Sequence, residues 1–493
     1  MVAHEAVVPK CLLISPFRGE EKHPANPLAV SQRFLNFGAL SIASFLTQRG
    51  WQSLVLDEYS LPPERRLVGE LRYRFGNEQP LLVGVSSISS YSADQARNVL
   101  RELAALWPDV PRVIGGQHFV GYWGSRFLEH MPEADMLVSG EAEAALLDIL
   151  IALQRGKKLQ SLAPSDLPAN VYWKAGQVVH QGTRPASTRL PLDDLLNVDC
   201  ALYPGSERLF PSIEFSRGCP YACVFCANGL ENRLGYRRAA STAVGEAVGR
   251  LVEIRDERPV QFYMQASNFS VTKDEAVSLA ASFGSTGDIA HWRTEVRVDG
   301  VADGAMRSLA NAGLRVLDLG LESACPQILK IMRKTTNPKA YLLRAEKVLS
   351  EATECGIFTK VNFLIHPGDT PDTVAESWDW LKSHSDVISG VSSGVTLEYP
   401  GTPLSAELAR YETEFGTKSI PHPLSRWGVN YLQPSSSLGL QEAELLATSI
   451  AQSMQTRAEF AKSKSFGYLG ADASANAILA SLPEASHATP YRS

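Results

Sequence analysis

Hydrophobic positions along the chain fall into two runs of alternating short strands and amphipathic helices, separated by a stretch without period. In the first run, apolar strands are expected at Lys10–Phe17 (KCLLISPF), Trp51–Asp57, Leu81–Ser86, Arg112–Ile114 and Asp135–Val138. Helical patterns accompany them at Phe37–Gly50, Ala93–Trp107 and Glu141–Arg155. Strand, helix and strand in this rhythm pair in parallel through right-handed crossovers, which predicts an α/β, doubly wound, Rossmann-like sheet over residues 1–156. Its strands end in small residues, Ser86-Ser87, Gly115-Gly116 and Ser139-Gly140. In an open α/β sheet the ligand crevice lies beyond those ends, although the same residues also suit tight βα turns. Residues 157–204 are rich in proline and short polar runs and read as a linker between domains, with a small hairpin over Val171–Gly182.

The second run occupies residues 205–404. Strands are predicted at Ser212–Phe215, Gln261–Gln265, His291–Val298, Arg315–Leu319, Phe358–Ile365 and Gly394–Leu397. Helices are predicted at Thr242–Ile254, Lys273–Phe283, Asp303–Ala312, in segments up to Glu354, and at Pro371–Ser383, where Thr370 is a good N-cap ahead of a first-turn proline. Six consecutive βα units predict a partial (β/α)6 barrel of the TIM type, with its site at the carboxyl ends of the strands. Residues 405–493 read as a mainly helical C-terminal segment on the substrate side, with a helix over Leu440–Lys462 and a frayed Ala/Ser-rich tail. No repeat of solenoid period is present.

Composition narrows the class. In 493 residues, 47 basic side chains against 53 acidic ones leave a net charge of −6, which argues against a nucleic-acid or membrane-surface partner. A hydrophobic share of 44% with 20% charged residues is that of a globular protein. No apolar run reaches the ~18 residues of a membrane span, and the N-terminus lacks the basic-then-apolar pattern of a secretory signal. Seven cysteines in so long a chain make no disulfide framework, and three of them fall within eight residues. The expectation is a soluble, cytoplasmic, multidomain protein.

Those three, Cys219, Cys223 and Cys226, form a C-x3-C-x2-C run in the loop after the first barrel strand. A structural zinc site wants a fourth ligand nearby, and the next histidine is His291. Three thiolates on a four-iron cluster instead leave one iron open to another ligand, which suits catalysis. Zinc or a purely structural role stays as the alternative. Of the other cysteines, Cys11 and Cys355 read as core, and Cys200 and Cys325, nearer the barrel top, as structural thiols with a catalytic thiol as the alternative.

The cysteine run, with Phe225 before its last member, resembles the signature of the radical S-adenosylmethionine (SAM) superfamily. The likeness continues along the barrel in Tyr236-Arg237-Arg238, in Trp292 to Arg297 (WRTEVR), in Gly320-Leu321-Glu322-Ser323, in His366 to Thr370 (HPGDT) and in Tyr399 to Pro403 (YPGTP). The resemblance implies a [4Fe–4S] cluster on the three cysteines, with SAM on the open iron, cleaved by the reduced cluster to a 5′-deoxyadenosyl radical that abstracts hydrogen from substrate. It places the Phe225 backbone at the adenine, Asn268 near the methionine moiety, and Arg297, Glu322 and Ser323 among the polar partners of SAM. For Arg297 and Glu322 an internal ion pair is the alternative. The family's Gly-Gly-Glu after the second strand is replaced by Gln265-Ala266-Ser267-Asn268.

Ahead of such a barrel, Val83 to Ser87, Val113 to His118 and Ser139 to Glu143 resemble the cobalamin-binding subgroup of that superfamily. The resemblance implies cobalamin over the strand ends, against Ser86, Ser87, Gly115, Gly116, Gln117, Gly140 and Glu141. The Asp-x-His-x-x-Gly motif of a lower axial histidine does not occur. The loop Phe17–Pro27 would then lie under the corrin, with His23 a candidate ligand but more simply a solvent-exposed histidine; His118 reads as structural.

Together these imply a cobalamin-dependent radical SAM C-methyltransferase acting on a small, natural-product-like molecule, supplied with electrons by a flavodoxin or ferredoxin. Aromatic residues Trp427, Tyr431 and Tyr399 are candidate substrate contacts or core. The alternative is a radical SAM enzyme catalysing cyclisation, rearrangement or oxidation without methyl transfer. A non-enzymatic iron–sulfur sensor would have little use for six strand-end motifs, and a methylthiotransferase would carry further N-terminal cluster cysteines, where only Cys11 stands.

Overall fold

The computed structural model describes residues 8–16, 34–61, 66–116, 125–185, 190–227, 235–456 and 459. They fall into two compact units that meet in sequence between Leu209 and Phe210.

The first unit runs β1 (Cys11–Ser15), α1 (Phe37–Thr47), β2 (Ser53–Asp57), α2 (Leu67–Phe75), β3 (Leu82–Ser86), α3 (Ala93–Leu106), β4 (Arg112–Gly115), α4 (Ser125–His130), β5 (Met136–Val138), α5 (Glu143–Gln154), β6 (Val171–Ala175), β7 (Val178–Gln181) and α6 (Leu192–Leu195). The strand order is β2-β1-β3-β4-β5-β6-β7. Pairing is parallel from β2 through β5, as the alternation predicts, and the order reverses between β1 and β3, where such sheets take their ligands. Helix α1 is capped by Asn36, whose side chain accepts from the Ala39 N–H, and buries Leu40, Ala43 and Leu46. Helices α2 and α4 are short, at 9 and 6 residues, and α2 (LVGELRYRF) mixes a glycine and charged residues into its apolar positions, so neither shows a sustained helical period.

The reading of 157–204 as a linker is corrected. Strand β6 pairs antiparallel with β5, and β7 with β6, so the hairpin widens the first sheet. Leu162, Leu167, Val171, Trp173, Leu195 and Tyr203 are buried in the same core as β1 and α1. The Tyr203 hydroxyl donates to Asp57 at the end of β2. An antiparallel hairpin added to a parallel sheet needs no crossover helix, so it breaks the βα rhythm without leaving the domain.

The second unit runs β8 (Ser212–Arg217), β9 (Arg237–Arg238), α7 (Ser241–Ile254), β10 (Val260–Ala266), β11 (Phe269–Val271), α8 (Lys273–Phe283), β12 (Ala290–Val301), α9 (Met306–Asn311), β13 (Leu314–Glu322), α10 (Pro326–Ile331), α11 (Pro338–Glu354), β14 (Phe358–Ile365), α12 (Pro371–Ser383) and β15 (Gly390–Val395). The order β15-β14-β13-β12-β10-β8 is wholly parallel, and β9 adds antiparallel to β8. The two edges of this sheet curl toward each other. Val224, in the loop after β8, donates its N–H to Met332 after α10 and accepts from the N–H of Leu404, beyond β15. The sixth strand starts four residues before the expected Gly394, because Ser392 and Ser393 interrupt its apolar run.

Among its described residues, the C-terminal segment adds a small sheet to the expected helices. β16 (Leu397–Glu398), β17 (Lys418–Pro421) and β18 (Asn430–Gln433) form an antiparallel sheet in the order β16-β18-β17, around the short helices α13 (Pro403–Ala406) and α14 (Leu408–Phe415). Glu398 holds it together by accepting from Ser405, Ser419 and Asn430. Helix α15 (Leu440–Ser453) packs on β15. Trp427 is buried, and Tyr431 and Tyr399 are half-buried. Among the described residues, no helix is long and apolar enough to cross a membrane.

Candidate functional site at the strand ends

Strand β8 leaves the sheet through Gly218, whose φ of +74° lies in the left-handed region. A Cβ there would stand 2.4 Å from the carbonyl oxygen of Gly235, so glycine is required by the close return of the chain. Cys219 and Cys223 follow, both buried, with Cys226 half-buried. Among the described residues, no three His, Cys, Asp or Glu side chains stand close enough to hold a single metal ion. Thiolates around a four-iron cluster each take a different iron, so they line a cage and need not converge on a point.

The charges around the loop fit an anionic cluster. Arg297, at the end of β12, donates from Nη1 to Cys223 Sγ at 3.2 Å and from Nη2 to the Lys334 carbonyl at 2.7 Å. Its Nε and Nη2 hold Asp299 at 2.8 and 3.2 Å, and its guanidinium stacks 3.6 Å from the ring centroid of Tyr221. Lys334 is buried and donates to Glu322 at 3.0 Å. Burial opposes its charge, yet Glu322, Tyr341 and Cys223 outweigh it and hold its ammonium above the ordinary value. Burial pushes the Cys219 thiol up, and Arg297 and Lys334 pull against it. Arg297 and Glu322 thus each sit in an ion pair, with Asp299 and Lys334 and not with each other, and Arg297 also faces a cysteine sulfur. Glu322 holds a φ of +68°, unusual for a residue with a Cβ, at a register shift in β13.

Three polar atoms at strand ends are buried without any hydrogen-bond partner: Asn268 Oδ1 after β10, His366 Nε2 after β14 and Thr396 Oγ1 after β15. Each such atom costs about 1–3 kcal/mol unless a ligand satisfies it. The Asn268 carbonyl accepts from Ser216 Oγ and Tyr236 at 2.9 and 3.1 Å, which fixes that corner. The His366 ring packs edge-on to Phe225 and Tyr411, with centroids 6.1 and 6.0 Å apart. Phe225 itself lies against the apolar clusters of Val224, Leu404 and Tyr411 and of Cys325, Ile328 and Met332. A molecule with a polar amino-acid end and an aromatic base fits this mixture of orphaned polar atoms and aromatic wall. Ser323 is differently employed: it is buried, bonds Ser377 Oγ of α12 at 3.2 Å and accepts from the Cys325 N–H.

Asp369, in the same loop as His366, is buried and accepts from the His366 N–H at 2.8 Å and from Thr373 Oγ1 at 2.6 Å. Burial pushes its carboxyl up to about 7 from the ordinary 3.8. Below about pH 4 the native and unfolded chains both hold this proton. As pH rises toward about 7 only the native chain keeps it, so stability falls by about 1.4 kcal/mol per pH unit over that window. Asp369→Asn removes the slope, and the stability of the variant relative to the parent is expected to rise with pH there. Urea midpoints at several pH values check it; a difference that stays level contradicts it.

In the first unit, Ser86 is half-buried at the end of β3 and Ser87 is fully buried. Ser87 donates its N–H to the Gly115 carbonyl at 2.8 Å, and its hydroxyl engages Ser92 and Ser89 at the start of α3. Gly116 has a φ of +128°, and a Cβ on it would lie 2.2 Å from the Ser87 carbonyl oxygen. Asn170, just before β6, ties the loop after β5 by donating to the carbonyls of Ser139 and Glu141, on either side of Gly140. The first residues beyond β3, β4 and β5 are thus small, Ser87, Gly116 and Ser139 with Gly140, which leaves room for a flat ligand. Gln117, His118, His23 and the loop Phe17–Pro27 lie outside the described residues.

Comparison with known proteins joins these observations. Residues 213–381 match the model of the Radical SAM superfamily, and residues 28–150 match the B12 binding domain. The chain thus holds a radical SAM domain and, ahead of it, a B12-binding domain. An uncharacterized methyltransferase of Pyrococcus horikoshii is 24% identical over 66% of this chain and 68% of its own length. The TsrM methyltransferase of Kitasatospora setae, solved with tryptophan substrate and a SAM analog, shares the fold with a TM-score of 0.67 at 18% identity, over 84% of this chain and 78% of that one. The cobalamin-dependent SAM radical enzyme OxsB, solved with aqua-cobalamin and SAM, gives 0.69 at 15% identity, over 93% and 68%. The radical SAM match runs from β8 into α12 and contains the cysteine loop, and the B12 match contains α1 to β5 and most of α5. The two domains imply a [4Fe–4S] cluster, SAM and cobalamin as cofactors.

Lys334, Tyr341, Asp299 and Thr396 were missed by sequence reasoning. Lys334 sits between two helices with no motif around it, and Tyr341 reaches the Gly320 carbonyl at 2.9 Å from α11. Only their partners in space reveal them.

Proposed function

We propose that the protein is a cobalamin-dependent C-methyltransferase that moves a methyl group from SAM, by way of cobalamin, to a carbon of a small-molecule substrate. The observation that carries this is the union, in one chain, of a B12-binding domain with a three-cysteine radical SAM barrel. With cluster, SAM and cobalamin bound, the cofactors supply reductive cleavage of SAM and a methyl carrier. Cys219, Cys223 and Cys226 hold the cluster, and Arg297 donates to a sulfur of it. Phe225 and His366 form the wall for the adenine. Asn268 and Thr396 offer buried polar atoms to the amino-acid end, and the Glu322–Lys334 pair keeps the fourth strand end in place. Ser86, Gly115, Gly116, Gly140 and Glu141 border the corrinoid, with Gln117 beside them in sequence. The reading places the protein in the cytoplasm, served by an electron donor such as flavodoxin or ferredoxin.

A second reading, hydrogen abstraction leading to cyclisation, rearrangement or oxidation without methyl transfer, is supported by the fold shared with OxsB, described as a radical enzyme. Anaerobic reconstitution with iron, sulfide and hydroxocobalamin, followed by SAM and a reductant, separates the two. The expected result is about four irons per chain, one tightly held corrinoid, and S-adenosylhomocysteine formed alongside 5′-deoxyadenosine. Iron without corrinoid, or 5′-deoxyadenosine alone, overturns methyl transfer in favour of the second reading.

A further inference from the structure

Parallel register arranges the inner face of the second sheet in tiers. Glu214 of β8 stands beside Gln265 of β10, Glu295 of β12 beside Asp318 of β13, and Asp318 beside Lys360 of β14. Alternation along β12 puts Arg293, Glu295 and Arg297 on one face, from which Arg293 reaches Asp318 and Arg297 reaches Cys223. Trp292, Thr294, Val296 and Val298 are buried on the other. The inner face is therefore ionic, and nearly all of its charge is neutralised within it. Arg293 and Lys360 share Asp318, Arg217 holds Glu214, Arg297 holds Asp299, and Lys334 holds Glu322.

Glu295 is the exception among the described residues on this face: its carboxylate has neither a hydrogen bond nor an ion pair. Arg293 and Lys360 turn to Asp318 instead of to it. Asp318 is 1% exposed at its side chain, whereas Glu295 is open to solutes, as are Gln265 and Ser392 on the same face. Enclosure by the sheet, with Asp318 and Glu322 adding to it and Lys360 and Arg293 opposing, raises the Glu295 carboxyl from its ordinary value. Further along these strands stand the orphaned, buried Asn268 and Thr396. An accessible acid left single in a face that otherwise pairs its charges is completed by a cation from outside, and an anionic ligand would meet repulsion there.

We infer that Glu295 anchors the substrate and that the substrate carries a positively charged amine or guanidinium. This rests on the functional reading above and names the chemical class it acts on. Glu295 acts as a specificity residue: it fixes one end of the substrate inside the barrel, so that a carbon nearer the strand ends faces the cofactors.

The test uses the full, anaerobically reconstituted chain with SAM, and agmatine, tyramine and cadaverine as probes, each beside its N-acetylated counterpart. By calorimetry, at least one free amine is expected to bind about tenfold or more tightly than its neutral partner. Glu295→Gln is expected to erase that preference and Glu295→Asp to keep part of it, with iron content equal in all three proteins. Water-soluble carbodiimide with glycinamide is expected to modify Glu295 ahead of Asp318 and Glu322, and the bound amine to protect it, as read by peptide mass spectrometry. Indifference to amine charge, a preference that survives Glu295→Gln, or labelling unaffected by amine overturns the inference. Iron and corrinoid measured in the same preparations report on the functional reading itself, so a cofactor-loaded protein indifferent to amines sinks only the inference.

Discussion

Replacing Cys223 by alanine is expected to take iron from about four per chain to below about one after anaerobic reconstitution, with loss of the visible absorption of the cluster and of SAM cleavage. Cys223 is the central member of the three-cysteine run, it is buried, and it accepts from Arg297. Two thiolates leave two irons without a protein ligand, so the cluster is no longer retained. The fold should survive. Arg297 keeps Asp299 and the Lys334 carbonyl as partners, and the apolar contacts of the loop run through Val224 and Phe225. Iron assay, electron paramagnetic resonance of the reduced protein and far-ultraviolet circular dichroism check the two halves of this statement. A variant that is folded and still holds a full cluster would remove the basis of the assignment.

Asp318→Asn is expected to be the most destabilising single change in the second unit. Asp318 is buried and receives Arg293 at two oxygens and Lys360 at 2.8 Å. Burial alone would raise its carboxyl, but Lys360 and Arg293 hold it below the ordinary range. Neutralising it leaves two cations in the interior with no compensating charge, which costs about 3–5 kcal/mol. For a unit of this size that corresponds to a fall of about 10 °C in the melting temperature. The triple change Arg293→Met, Asp318→Leu, Lys360→Met should recover much of the loss, because replacing a whole buried ion group is far cheaper than breaking it. Differential scanning calorimetry of all three proteins decides it; an Asp318→Asn variant melting within a degree or two of the parent contradicts the ion triad.

The strand Phe358–Ile365 and the helix Pro371–Ser383 have the bounds that their pattern predicts. β-branched and aromatic residues at alternate positions, Thr359, Val361, Phe363 and Ile365, mark the strand, and Thr370, with its hydroxyl on the Thr373 N–H and a proline in the first turn, marks the helix start. These signals are local, and so is the cysteine run, whose three members sit on one loop. The sixth strand and the β6–β7 hairpin were misread for the opposite reason. Strand β15 gains its cover from α15, a helix distant in sequence, and Trp173 is buried where β6 docks on β5.

Taken alone, the sequence determined the class of fold, the order of the two domains, the three-cysteine loop and the small residues at the ends of β3, β4 and β5, since periodicity and residue spacing are properties of neighbours along the chain. The tertiary structure decided what the charges do. Arg297 meets Cys223 across 74 positions and Lys334 meets Glu322 across 12. Ser87 and Ser323 spend their hydroxyls within the fold, and among the described residues of its face Glu295 is left over. A charge has no periodicity that announces its partner. Its role follows from which strands the sheet sets side by side, and from which of their side chains find an opposite charge before a ligand does.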